Sequence, residues 1–275
     1  MSRLTLSAIV LVLVVVSSSL ANQFPAKVSD TGGSAAPPAT PFSAMTPREV
    51  AELHADILMA RKEYMEAASA YLRILDGEPT NAALLNKIGV AYQQLGDLDR
   101  SERFYKRAMR ADKKFASAAN NCGTVEYEKK HYGKAIRFYG KALALRGDMP
   151  TVYSNLGYAY FADKEYPEAM NSFQKALALD PTIFDRKGLG GTLVQQRSMP
   201  DPGLFYFFVA KTYALAGDAE RAAHYLKLAR DDGYGAFLSA QTDPAFAKVI
   251  KDPALQEVLH SPPSYARNSK KVMQN

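Results

Sequence analysis

The feature that most constrains this chain is a self-similarity with a period of 34 residues. Tyr92-Gln93-Gln94-Leu95-Gly96 aligns with Tyr160-Phe161-Ala162-Asp163-Lys164 at an offset of 68 residues, two periods. Four consecutive windows then fall into register, 48–81, 82–115, 116–149 and 150–183. In the fourth, Tyr153, Leu156, Gly157 and Tyr160 stand at i, i+3, i+4 and i+7, one face of a helix. Tyr166, Ala169, Phe173 and Ala176 form a second helical face after a short turn, and Pro181 closes the unit. The second window repeats this with Leu85, Ile88, Gly89 and Tyr92, then Leu98, Ser101, Tyr105 and Ala108; the third with Ala119, Cys122 and Gly123, then Tyr132, Ala135, Tyr139 and Ala142. The first is weaker (Ala51, His54, Ala55 and Leu58, then Ala67, Tyr71 and Ile74), and a fifth unit fits 203–236.

Small residues recur where paired helices must touch: Gly89, Gly123, Gly157, Ala169 and Ala176. They allow helix axes to approach to the short end of the usual range, while rings such as Tyr160 and Phe173 fill the space beside each contact. This pattern resembles the tetratricopeptide repeat family. The resemblance implies an all-α fold, a right-handed α-solenoid of about five helix–turn–helix repeats over 46–260 with C-terminal capping helices. Thr46-Pro47-Arg48-Glu49 reads as a capping box that opens the array. At the far end AFAKVIK, after Asp243-Pro244, and ALQEVLH, after Asp252-Pro253, are expected to be two short helices within 243–260 that cover the last apolar face. Residues 184–202 form an insertion containing Gly188, Gly190 and Gly191, with Asp201-Pro202 starting the next helix, and 261–275 is a polar, basic tail.

The N-terminus reads as an export signal. Arg3 precedes a nearly all-apolar run from Leu4 to Val16, and small residues at Ser19 and Ala21 predict cleavage after Ala21. That run is shorter than the ~20 residues a spanning helix needs. Residues 22–45, rich in Pro, Ala, Ser, Thr and Gly, cannot bury enough surface to offset their ordering entropy and read as a disordered linker. The expected location is periplasmic or secreted, with the mature chain soluble.

In the tetratricopeptide family the first helix of each unit lines a concave groove, so its face opposite the packed stripe is the expected partner surface. That face carries Glu49, Glu52 and Asp56 in the first unit, and Asn86, Lys87, Val90, Gln93 and Gln94 in the second. The third presents Asn120, Asn121, Thr124, Tyr127 and Glu128; the fourth Ser154, Asn155, Tyr158 and Phe161; the fifth Phe207, Phe208 and Lys211. The expected groove thus runs from acidic through amide-rich to aromatic. Primary amides both donate and accept, so Asn86, Asn120, Asn121 and Asn155 are candidates to hold the backbone of an extended peptide. Tyr127, Tyr158 and Phe161 are the candidate apolar anchors. The family's two-carboxylate clamp is not matched, because Thr151 and Asn155 stand where its third repeat would be basic.

Between Leu98 and Arg146 there are 13 Lys or Arg against five Asp or Glu, net +8, in a chain whose total is +6. Most fall on second helices, outside the groove, where a basic stripe has two readings: a solvated face, or a surface for an anionic envelope component. Nucleic acid is not an expected partner of an exported chain. Catalysis has no support: HExxH, GxSxG and P-loop motifs are missing from the sequence, and GLGG alone does not specify phosphate binding. The single Cys122 excludes an internal disulfide and a cysteine-built metal site, and it lies with His54 on a packed stripe. No cofactor or metal is expected. The resulting reading is an exported adaptor that holds a partner protein or peptide in its groove. The alternative is a structural component of an envelope assembly that docks through the basic outer face, and an enzyme using 184–202 is a third class.

Overall fold

The computed structural model describes residues 45–185 and 201–261. The expected leader, nearly all of the linker, most of the insertion and the tail beyond 261 lie outside the described residues.

Among the described residues five helix pairs follow one another. They are α1 (Pro47–Ala60) with α2 (Tyr64–Leu75), α3 (Ala82–Gln94) with α4 (Leu98–Ala111), and α5 (Ala116–Glu128) with α6 (Tyr132–Leu145). Then come α7 (Pro150–Ala162) with α8 (Tyr166–Leu179) and α9 (Pro202–Ala216) with α10 (Ala219–Asp231). The first member of each pair is termed its A-helix and the second its B-helix. Each pair packs on itself and its B-helix packs against the next A-helix, so the chain is an all-α solenoid of helical hairpins. Among the described residues no helix is long and apolar enough to cross a membrane.

The repeated packing is a ring seated on a glycine. A Cβ added at Gly89 would fall under 3.0 Å from the Tyr105 ring, and the same holds for Gly123 beneath Tyr139 and Gly157 beneath Phe173. Those three rings are fully buried, as are Ala108, Ala142 and Ala176 one helical turn further along each B-helix. The fourth-unit ring Tyr160 is only half-buried, packed at the edge of the core.

Every A-helix ends in the same turn. Lys62, Gly96, Lys130, Lys164 and Gly217 have positive φ between 61° and 83°. At each, the residue after the turn donates its N–H five residues back, as His131 does to the Glu126 carbonyl at 2.8 Å, while Lys130 donates to Tyr127. This is the Schellman arrangement, which satisfies helix-end carbonyls. A lysine in this conformation costs roughly 1–2 kcal/mol that glycine does not.

The ends are finished by side chains. Thr46 and Glu49 form the reciprocal capping box with Pro47 at the first helical position. At the far end a 3-10 helix at Gly235–Gln241, a 3-10 turn at Pro244–Phe246 and α11 (Pro253–His260) close the array. The segment expected as a helix after Asp243 is therefore only a single 3-10 turn, but its Phe246 is fully buried against Phe207 at 5.8 Å. The buried Arg230 fastens α11 by donating to the Val258 and Ser261 carbonyls at 3.1 and 3.2 Å. Phe184, assigned from sequence to the insertion, is core: it lies against Phe173 and Tyr213.

Candidate functional site

The A-helices carry a row of polar side chains that crosses from one repeat to the next. In the second, third and fourth repeats the side chain at position six donates to the side chain at position five of the repeat before, 35 residues earlier. Three successive junctions do this. Lys87 Nζ reaches Glu52 Oε1 at 2.8 Å, Asn121 Nδ2 donates to Asn86 Oδ1 at 2.9 Å, and Asn155 Nδ2 donates to Asn120 Oδ1 at 3.0 Å. The two amide rungs are joined because Asn120 Nδ2 donates to the Oδ1 of its neighbour Asn121 at 3.1 Å. Asn155, Asn120, Asn121 and Asn86 thus form one chain of amides with every bond running in the same sense.

The row starts in charge. Lys87 also bonds both oxygens of Asp56 at 2.7 and 2.8 Å, and Glu52 is held by Arg48 at 2.6 Å. Burial lowers the Lys87 pKa, but its hydrogen bonds to Asp56 and Glu52 outweigh this and raise it. The acidic start expected of the groove is therefore neutralised by cations from its own and the following repeat. A second link ties α3 to α5, where Tyr105 Oη donates to Gln93 Oε1 at 2.7 Å and Gln93 Nε2 donates to Glu128. Burial raises the Glu128 pKa, and the Gln93 hydrogen bond only partly offsets it.

The seven candidate residues divide by depth. Asn86, Asn120 and Asn121 are half-buried at the surface of the A-helix row. Asn155 is completely buried, and its Oδ1 has no hydrogen-bond partner among the described residues. Tyr127, Tyr158 and Phe161 are not groove anchors: they are 2%, 0% and 3% exposed and belong to the core. The reason is the neighbouring helix. Tyr127 lies against Tyr132 at 5.3 Å; Tyr158 stacks on Phe205 at 5.1 Å; Phe161 meets Phe205 and Phe208 at 5.8 and 5.6 Å. Phe207 is buried as well, whereas Lys211 pairs with Asp243 at 2.8 Å.

Two further expectations separate. Cys122 is fully buried with its Sγ 3.7 Å from Met109 Sδ, and burial pushes its thiol up to about 12, which suits a core residue and not a nucleophile. His54 is exposed. Its counterpart Cys122 packs on the preceding repeat through Met109, but among the described residues no helix pair precedes α1. Sequence reasoning also missed the Lys87–Glu52 rung, although the 35-residue spacing it shares with the amides was the available signal.

The accessible amides retain hydrogen-bonding capacity. Asn86 Nδ2 makes no hydrogen bond among the described residues, and Asn120 and Asn121 each use one of two amide hydrogens. Packed helix axes lie about 8–10 Å apart, and an extended chain advances about 3.3 Å per residue. A peptide crossing the A-helices would therefore meet an amide about every third residue.

Comparison with known proteins agrees with the repeat. Residues 150–183 and 80–148 match two tetratricopeptide repeat family models. Similar solved structures include MamA from residue 41 to its end from Desulfovibrio magneticus RS-1, at 19% identity with a TM-score of 0.49, covering 68% of this chain and 95% of that one. Pseudomonas aeruginosa pilF is 18% identical, with a TM-score of 0.48 and coverage of 68% and 92%. YrrB, described as a TPR protein with an unusual peptide-binding site, is 17% identical, with a TM-score of 0.45 and coverage of 70% and 91%. No curated protein matches the chain. None of these likenesses bears on what this chain binds.

Proposed function

We propose that this protein is an interaction scaffold that binds an extended segment of a partner protein across the A-helix face of its second to fourth repeats. The observation that carries the reading is the one-directional amide chain from Asn155 to Asn86, with unused donors on Asn86, Asn120 and Asn121. Asparagine is a poor helix former and contributes little to a helix interior. Four of them placed on adjacent helices, three still reachable, suit a surface that grips peptide carbonyls without reading sequence. In this reading Asn155 is a positioning residue: it is buried and orients Asn120.

We place the protein outside the cytoplasm on the strength of Arg3, the Leu4–Val16 apolar run and the Ser19/Ala21 junction. N-terminal sequencing of the protein from its native cell should begin at Asn22, and an intact Met1 in a membrane fraction would overturn export of a soluble chain. A second reading, docking through the outer face to an anionic envelope component, is favoured by the net +8 of residues 98–146.

A displayed library of linear peptides separates the two. Peptides selected on the full chain should lose about ten- to a hundredfold in affinity against Asn86→Ala with Asn121→Ala, since each lost amide contact contributes about 0.5–1.5 kcal/mol. Their binding should change little between low and high salt. Selected ligands that bind the double variant equally well and dissociate in salt would replace the groove reading with the outer-face one.

A further inference from the structure

The repeats provide an internal control for their own outer surface. On α4, Arg103, Lys106, Arg107 and Arg110 stand at i, i+3, i+4 and i+7; on α6, Lys134, Arg137 and Lys141 stand at i, i+3 and i+7. At the register of the α4 cations, α2 and its C-cap carry Ser69, Leu72, Arg73 and Asp76, and α8 carries Asn171, Gln174, Lys175 and Ala178. Solvating a B-helix in this solenoid therefore does not require such a charge, and the excess is local to two adjacent helices.

Between those helices lies a cleft of about 400 Å3 whose walls include Lys106, Lys134, Arg137 and Lys141, with Phe138 and Glu126. Its two carboxylates are already engaged. Glu102 bonds Lys106 and Lys129, the latter at 2.7 Å, and Glu126 bonds His131 Nδ1 at 2.9 Å with Lys134 at 3.9 Å. Arg137 and Lys141 make no ion pair among the described residues and are exposed. Glu126 itself is anomalous. It is 3% exposed and occupies the register at which the second and fourth repeats place Tyr92 and Tyr160. Where those repeats pack a ring, this one buries a carboxylate that draws His131 and Lys134 toward the cleft.

We infer that this cleft is a binding site for a phosphate monoester. A phosphate monoester carries about −1.5 to −2 charge near neutral pH, which matches the two unpaired cations. The planar Arg137 fork can take two phosphate oxygens while Lys141 acts as a point charge. Phe138 offers an apolar wall for the organic part of the ester. Lys106 and Lys134, each shared with a carboxylate, border the site. This site is separate from the amide row on the A-helices, so either can fail without the other.

The test uses the full chain with phenyl phosphate as the soluble probe and phosphatidic acid vesicles as the lipid form of the same monoester. Calorimetry should give saturable phenyl phosphate binding. Arg137→Glu with Lys141→Glu should weaken it by about tenfold or more, because both charges and the fork are reversed at once. Arg73→Glu with Lys175→Glu makes the same change in net charge on other B-helices and should leave affinity within about twofold, as screening predicts for distant exposed charges. All four positions are exposed on B-helices, and an unchanged melting temperature confirms that each variant is folded. Vesicle binding displaced by phenyl phosphate would support the cleft with a lipid headgroup as occupant. Phenyl phosphate binding without vesicle binding would support it with a soluble ester. No saturable binding of either probe, or equal loss in the two double variants, would overturn the assignment.

Discussion

The junctions between successive A-helices are built in two ways within one repeating frame. At the first three, position five of one repeat meets position six of the next through polar groups: Glu52 with Lys87, Asn86 with Asn121, Asn120 with Asn155. At the fourth, position five is Ser154 and position six is Phe208, and the contact becomes aromatic. Phe208 packs against Phe161 and Tyr166 at 5.6 and 5.2 Å, and Phe205 joins Tyr158, Phe161 and Phe173. The two solutions serve different ends. Amide rungs exchange one hydrogen bond for another and leave donors at the surface, contributing about 0.5–1.5 kcal/mol each. Buried rings remove large apolar area from water and leave little for a partner. The difference suggests a division of labour, with a stable C-terminal block supporting a less tightly sealed polar face.

Breaking the aromatic junction should have the largest effect. Phe205→Ala removes a ring that touches four others and should cost about 3–5 kcal/mol in chemical denaturation. A cost below that of an amide substitution would refute the contrast.

Removing polar atoms should act with opposite sign at the two kinds of junction. Asn120→Ala deletes the acceptor of Asn155, leaving a fully buried amide without its partner, and should destabilise by about 1–3 kcal/mol. Ser154 is completely buried, and its hydroxyl has no partner among the described residues, so Ser154→Ala should stabilise by about 1 kcal/mol. Thermal melts of both variants check the pair, and a shared sign would contradict the account.

The fold was far more legible than the site. Gly89, Gly123 and Gly157 recur at 34 residues and are followed at a fixed distance by Tyr105, Tyr139 and Phe173, so the hairpin packing is carried by residues within one repeat. The left-handed turns at Lys62, Lys130 and Lys164 were hidden because lysine is not a turn residue; only their register with Gly96 marks them. Depth at the site could not be read from one helix. A helical wheel assigns Tyr127, Tyr158 and Phe161 to the open side, but a solenoid helix is covered on several sides, and what covers these is Tyr132, Phe205 and Phe208. Asn86, Asn120 and Asn121 stay half-buried, with hydrogen-bond partners one repeat away for Asn86–Asn121 and Asn120–Asn155, whereas Asn155 itself is buried.

Acid titration probes smaller effects, at Glu102 on α4 and at Glu128 in the α3–α5 link. Burial raises the Glu102 pKa, but the hydrogen bonds of Lys106 and Lys129 outweigh it and hold the carboxyl at about 2. The folded-state pKa is below the unfolded one, so this contribution is present above the ordinary carboxylate range and is lost as pH falls toward about 2. Glu102→Gln should therefore cost about 1 kcal/mol at neutral pH, after allowance for solvent screening, and nothing in strong acid. Glu128 has the opposite sign. Its burial raises the pKa, so ionisation opposes folding as pH rises, and Glu128→Gln should stabilise at neutral pH with the gain vanishing in acid. Stability curves against pH for the two variants should converge on the parent at low pH from opposite sides.

Side-chain amide NMR reads directly whether the accessible asparagines hold a partner's backbone. With the Asn resonances assigned, a peptide selected on the full chain is added stepwise. Saturable shifts of the Asn86, Asn120 and Asn121 side-chain NH2 signals are expected, with the Arg137 and Lys141 signals unmoved. Unperturbed asparagine amides under saturating peptide, with shifts confined to the outer face of α4 and α6, would contradict the groove reading.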